Sequence, residues 1–96
     1  MVAWDQVRRE HVLAAINEYD RLGQEEFLEK YHFGRARQYV LQHEGRGYDS
    51  KAILGVAYGH ATGRPLSAQE FSGGRYGAAK VLRALGFAVN GPQRKI

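Results

Sequence analysis

Apolar residues recur at helical spacing near the start of the chain. Val12, Ala15, Ile16, Tyr19 and Leu22 fall on one stripe, with charged residues between them. The pattern predicts an amphipathic helix over residues 5–22, capped by Asp5 and stopped by Gly23. A second, shorter helix from Gln24 to about Tyr31 turns Phe27, Leu28 and Tyr31 inward, so the two form an α-hairpin, and Gly34 marks the next break. The period then changes. In "RARQYVLQHEGRGY", Tyr39, Leu41 and His43 alternate with Val40 and Gln42, the period of a strand. "EGRG" supplies a turn through Gly45 and Gly47, and the chain returns at Tyr48 as a hairpin.

"YDSKAILGVAYGHATG", Tyr48 to Gly63, reads as a helix capped by Asp49 or Ser50, with Ile53, Leu54, Ala57 and Ala61 on its apolar side. Gly55 and Gly59 lie one turn apart on one face. Each costs about 0.8–1 kcal/mol relative to alanine. Another backbone or an aromatic ring passing close to that face explains them; a groove admitting a ligand backbone is the alternative. "PLSAQEFSGG" carries a capping box, Ser67 with Glu70, inside a hydrophobic staple of Leu66 and Phe71. Gly73 and Gly74 limit that helix to one or two turns. The last helix is expected from about Arg75 to Leu85, with Ala78, Val81, Leu82 and Leu85 inward. Gly86 and Phe87 fit a Schellman stop, and "FAV" a short strand beside the hairpin. The fold class is α+β: one small domain, residues 1–90, with four to five helices packed on a short two- or three-stranded antiparallel sheet. Residues 91–96 form a basic tail or the start of a linker.

Composition narrows the chemistry. Ninety-six residues make one domain with a thin core. The lack of cysteine removes disulfides, thiolate catalysis and Cys-type zinc sites. No apolar run approaches ~18 residues and no signal-peptide core is present, so a soluble, cytoplasmic chain with no membrane partner is expected. The net charge of +4 is unevenly spread. Residues 1–30 hold four basic side chains against seven acidic ones, whereas residues 31–96 hold ten against three. An acidic front and a basic back point to one electropositive face and a polyanionic partner.

No catalytic constellation is present: there is no H-E-x-x-H, no G-x-S-x-G and no Walker loop. His11, His32, His43 and His60 lack metal-ligand spacing, the acidic residues of the first two helices fit a solvated face, and neither metal nor cofactor is expected. Two places could grip phosphate. In "SGGRYGAAK", Ser72, Gly73 and Gly74 would leave the N–H groups of a helix start open, with Arg75 and Tyr76 beside them; a plain hinge is the competing explanation. In "YDSKA", Lys51 starts another helix, although Asp49 opposes an anion there, so Lys51 either reaches past it or pairs with it. Arg35, Arg37 and Arg46 lie around the intervening hairpin and extend the same basic surface.

Taken together, "VLAAINEYDRLG", "FLEKYHFGRAR", "GRGYDSKAILGVAYGHATG", "PLSAQEFSGG" and "VLRALGF" resemble the N-terminal head domain of McrA-like HNH endonucleases, the Type IV, modification-dependent restriction enzymes. The resemblance runs from Trp4 to about Val89, with "YDSKAI" and "EFSGG" its most specific parts. Arg8-Arg9 stands where a threonine cap would be expected, and neither an HNH motif nor a modified-base reader is present. The resemblance implies association with DNA restriction, in which a head module precedes a modified-base reader and an HNH nuclease.

These readings converge on a non-catalytic, DNA-binding accessory module of a modification-dependent HNH restriction endonuclease. Its partners are double-stranded DNA and the reader and nuclease domains. Arg35, Arg37, Lys51, Ser72, Gly73, Gly74 and Arg75 would contact phosphates, and Tyr76 and His60 a base or sugar. The alternative is a protein-interaction or dimerisation module that orients the nuclease, or joins two copies, without touching DNA. The "SGGRYG" reading makes a direct prediction. Arg75→Ala should weaken binding to every duplex alike and make the salt dependence shallower by about one unit, because a phosphate contact carries no sequence information. A well-folded variant with unchanged affinity and slope would favour the hinge.

Overall fold

The computed structural model describes residues 2–36, 39–72 and 77–91. A 3-10 turn at Trp4–Gln6 leads into α1 (Arg9–Leu22) and α2 (Gln24–Tyr31). The hairpin β1 (Val40–His43) and β2 (Arg46–Asp49) runs directly into α3 (Ser50–Thr62). A second 3-10 turn at Ala68–Glu70, α4 (Ala78–Ala84) and β3 (Ala88–Asn90) complete the chain. The sheet is antiparallel with order β2-β1-β3. Leu41 sits opposite both Tyr48 and Val89, and this buried row faces the helices. The fold is the small α+β domain that the periodicities predict. Among the described residues no helix is long and apolar enough to cross a membrane.

The centre of the domain is α3. Ala52, Ile53, Leu54, Val56 and Ala57 are all buried, so this helix is covered nearly all round rather than on one side. Helix α1 lies along it with Val12, Ala15, Ile16 and Tyr19 buried, and α4 packs against it through Ala78, Ala79 and Leu82. The two glycines explain how so much fits around one helix. A Cβ on Gly55 would lie 2.6 Å from Phe33 Cζ and 3.1 Å from the Leu66 carbonyl oxygen. One on Gly59 would lie 2.8 Å from Pro65 Cγ and 3.1 Å from the Pro65 backbone. Both an aromatic ring and a backbone therefore pass close to that face, and the ligand groove is not needed to account for it.

Most stop signals act as expected. Gly23 closes α1, and its N–H donates to Tyr19 O at 2.8 Å. At the end of α4, Gly86 takes φ 91°, Phe87 N–H donates to Leu82 O at 3.1 Å and Gly86 N–H to Arg83 O at 3.0 Å, the paired bonds of a Schellman motif. His32 fills the same role after α2 with φ 60°, without being glycine. Glu70 reaches back to Ser67 N–H at 2.7 Å, so the capping box opens a single 3-10 turn.

Three boundaries differ from the expectation. Helix α1 begins at Arg9 with Arg8 as N-cap, not at Asp5. The preceding residues leave the helical path because Trp4 packs edge-on against Tyr58 and Phe71, at ring centroid distances of 5.7 and 5.4 Å, while Ala3 N–H donates to Tyr58 Oη at 3.1 Å. His11 Nδ1 then accepts the Arg8 N–H at 2.9 Å. The hairpin turns on Glu44 and Gly45, at φ 49° and 79°, as a two-residue turn with both central residues at positive φ requires. Gly47 instead lies in β2 opposite Gln42. Finally, α4 starts at Ala78 rather than near Arg75. Gly77 has φ −109° and ψ −119°, outside the helical region, and Ala78 N–H donates to Ser72 O at 2.8 Å.

Gly55→Ala sets two effects against each other. It gains about 1 kcal/mol of helix propensity, but overpacking of this kind costs about 1–3 kcal/mol. With the Leu66 backbone on one side and the buried Phe33 ring on the other, the clash should prevail. Urea denaturation should show the variant less stable by about 1–2 kcal/mol. Stability equal to the parent would mean that Phe33 can turn aside.

Candidate nucleic-acid interface

The first turn of α3 holds the segments that carry the candidate residues. Asp49 occupies the N-cap position, yet its side chain caps nothing. Its carboxylate, only 5% exposed, accepts three hydrogen bonds from elsewhere. Ala36 N–H reaches Oδ1 at 2.6 Å, and Tyr19 Oη and Gln24 Nε2 reach Oδ2 at 2.6 and 2.9 Å. Burial, reinforced by the hydrogen bond to Asp49 and its negative charge, pushes the Tyr19 phenol well above its ordinary pKa. The next residue, Ser50, donates its hydroxyl to Tyr39 O at 2.8 Å. The one after, Lys51, donates Nζ to Ala68 O and lies 5.2 Å from the centroid of the Phe71 ring. Three consecutive polar side chains thus tie three different segments to one helix end.

This places part of the expected site together. Arg35 neighbours the Ala36 anchor, its side chain exposed and 3.8 Å from Glu25 Oε1. Ser72 follows Phe71, and Phe71 meets Phe33 at 6.2 Å between centroids. Phe33, before Arg35, and Phe71, before Ser72, therefore meet beside Lys51. Arg37, Gly73, Gly74, Arg75 and Tyr76 lie outside the described residues. Lys51 Nζ is directed to Ala68 O, so one of its three N–H donors already has an acceptor inside the domain. Of the helix start expected at "SGGRYGAAK", the described part is Ser72 and the residues from Gly77 on. The first N–H of α4 is taken by Ser72 O, Ala78 and Ala79 are buried, and a Cβ on Gly77 would overlap the Ser72 carbonyl. His60 stands apart, nine residues further along α3, about 13 Å by the helical rise. Its Nε2 is 4.0 Å from Glu18 Oε1.

Glu18 corrects the expectation of a solvated face for the acidic residues of the first two helices, since it is only 8% exposed. Lys30 Nζ donates to Glu18 Oε2 at 2.7 Å, and Tyr31 Oη to the same oxygen at 2.8 Å. Burial alone would raise the Glu18 pKa, but these hydrogen bonds and the Lys30 charge outweigh it and hold the carboxyl below its ordinary value. Its only sequence signal is charge embedded in a helical stripe, which does not distinguish a buried acid from an exposed one. Arg46 is likewise committed, 3.3 Å from Asp20 Oδ1, which also accepts Tyr48 Oη at 2.7 Å.

Glu18 sets an acid-side stability window. Because its folded pKa is lowered, its contribution is fully present above the unfolded value near 4.5 and is lost as pH falls through the folded value. Glu18→Gln should cost on the order of 1–3 kcal/mol at neutral pH. The gap in melting temperature between parent and variant should close as pH drops below about 4.5. A gap independent of pH would mean that Glu18 acts by packing alone.

Comparison with known proteins finds both a family and a solved structure that the chain resembles. A family model described as ScoMcrA-like, N-terminal head domain, matches residues 5–91. Among solved structures, the chain is similar to the Type IV phosphorothioation-dependent restriction endonuclease ScoMcrA. Identity is 34% and the TM-score 0.68, over 95% of this chain and 14% of that one. None of the curated proteins matches.

Proposed function

The chain belongs to the family of ScoMcrA-like N-terminal head domains, and from that premise we propose that it is a non-catalytic, DNA-binding accessory module of a modification-dependent HNH restriction endonuclease. The observation that carries this reading is the convergence at the first turn of α3. The stretches leading to Arg35–Arg37 and to Ser72–Arg75 are tied to adjacent residues there, in the part of the chain with ten basic side chains against three acidic. Arg35, Arg37, Lys51, Ser72, Gly73, Gly74 and Arg75 contact phosphates of double-stranded DNA. Tyr76 adds a base or sugar contact, and His60 a more distant one. The module supplies grip and orientation, while reading of the modification and cleavage belong to partner domains. The similar solved structure is of an enzyme that acts on phosphorothioated DNA, which supports a DNA partner.

A second reading has its own observation. Trp4, Val7, Val81, Ala84 and Leu85 line an apolar groove of about 470 Å³, with Asp5 and Lys80 also in its wall. A protein-interaction or dimerisation module that orients the nuclease would use such a surface.

Titration with phosphorothioated and unmodified duplexes at several salt concentrations separates the two. If about four side chains each neutralise a phosphate, log K should fall against log salt with a slope of about −3 to −4. Equal affinity for both duplexes would assign modification reading to the partner domains. Binding that is absent at low salt, or indifferent to salt, would leave the interaction module as the function. Trp4, the one tryptophan, touches Phe71 next to Ser72 and provides the fluorescence signal.

A further inference from the structure

An acid in the middle of a phosphate-binding surface repels the ligand, yet Asp49 sits between Lys51 and the arginine stretch. We propose that Asp49 is the positioning residue of the DNA-binding surface, holding Arg35 in place by fixing the backbone of Ala36 beside it. The inference rests on the DNA-binding reading above.

Three observations carry it. First, the carboxylate is 5% exposed, and its acceptor sites face Tyr19, Gln24 and Ala36, not solvent. Its charge is spent inside the domain. Second, the residue is at the N-cap of α3 but makes no side-chain cap bond, so stabilising its own helix by that bond is not its role. Third, Ala36 N–H to Asp49 Oδ1, at 2.6 Å, is the hydrogen bond that ties residues 34–36 to the domain body among the described residues. The Arg35 ion pair with Glu25 is long, at 3.8 Å, and both partners are exposed, so it adds little. Tyr19 and Gln24 complete the arrangement from α1 and α2. Tyr19 is itself wedged against Phe27 and Tyr48, both at 4.9 Å between centroids, so the carboxylate is held rigidly from the helical side. A charge-assisted bond from a fixed carboxylate is the strong kind that can hold an otherwise unsupported loop.

A purely structural Asp49 would change stability and nothing else, so the test reads the salt dependence of binding. Asp49→Ala, Tyr19→Phe and Arg35→Ala are compared with the parent in the full 96-residue chain. A short DNA duplex is the probe, at a temperature where circular dichroism shows each variant folded. Asp49→Ala should bind about tenfold more weakly with a slope shallower by about one unit, for the displaced Arg35. Tyr19→Phe, which removes a donor but leaves the Ala36 bond, should lose stability and keep the parent's affinity and slope. Should Asp49→Ala fail to fold, Ala36→Pro deletes the one N–H while leaving Tyr19 and Gln24 on the carboxylate, and the shallower slope is expected there. A folded Asp49→Ala, or Ala36→Pro in its place, with the parent's affinity and slope would overturn the proposal, as would a slope lowered equally by Tyr19→Phe. If Arg35→Ala alone lowers the slope, the DNA surface stands and the positioning role falls. If the parent binds no DNA at low salt, both fall together.

Discussion

The buried carboxylate of Asp49 is the constraint around which the domain is arranged. One oxygen takes Tyr19 from α1 and Gln24 from the start of α2; the other takes the backbone of Ala36 between α2 and β1. The residue itself ends β2 and precedes α3. A single side chain therefore joins the helical hairpin, the entry to the sheet and the central helix. A buried charge is costly unless its lone pairs are satisfied. Here the donors come from three parts of the chain, so the charge is tolerated only when all three are in place. That makes the interaction a specification of the fold more than a source of net stability.

The rest of the α3 end follows from the same economy. Ser50 and Lys51 continue what Asp49 begins, each satisfying a carbonyl of a different non-regular segment. Such segments carry backbone groups that no helix or strand pairs, and a polar helix start is a fitting place to receive them. The glycines serve the same crowding. Phe33 and the Leu66–Pro65 backbone lie against α3 at distances that no side chain allows, which brings the stretch before Arg35 and the stretch before Ser72 to one place. The helix loses intrinsic propensity and the domain gains a compact junction. For a chain of this size, in which each buried contact is a large share of the core, that exchange favours folding.

For function, the consequence is that rigid parts and presenting parts are separate. The buried polar network lies on the helical side; Arg35 points outward from a backbone fixed by it. Membership of the ScoMcrA-like head-domain family fits a module whose work is positioning. Contacts to phosphate depend on where a charge is held, not on chemistry that the residue performs. The apolar groove is lined by Trp4 and α4, and Trp4 also touches Phe71.

Much of this was legible in the order of residues alone. The two helices of the hairpin, the strand pair, the capping box at Ser67, the Schellman stop at Gly86 and the close approach to Gly55 all follow from interactions within a few residues, or from the conformational cost of glycine. Of the candidate site, Phe33 before Arg35 and Phe71 before Ser72 meet beside Lys51, whereas His60 lies further along α3 beside Glu18. Tertiary structure alone decided that Asp5 caps nothing, because Trp4 is drawn out of the helical path by Tyr58 and Phe71. It also delayed α4 to Ala78, because the Ser72 carbonyl takes that residue's N–H. And it turned Asp49 from an expected helix cap into a buried junction, and Glu18 from an apparent surface acid into an interior one. Periodicity and caps are local, so the sequence states them directly. The partner of a buried charge is set by which distant segments meet, and Asp49 meets residues 13, 25 and 30 positions away.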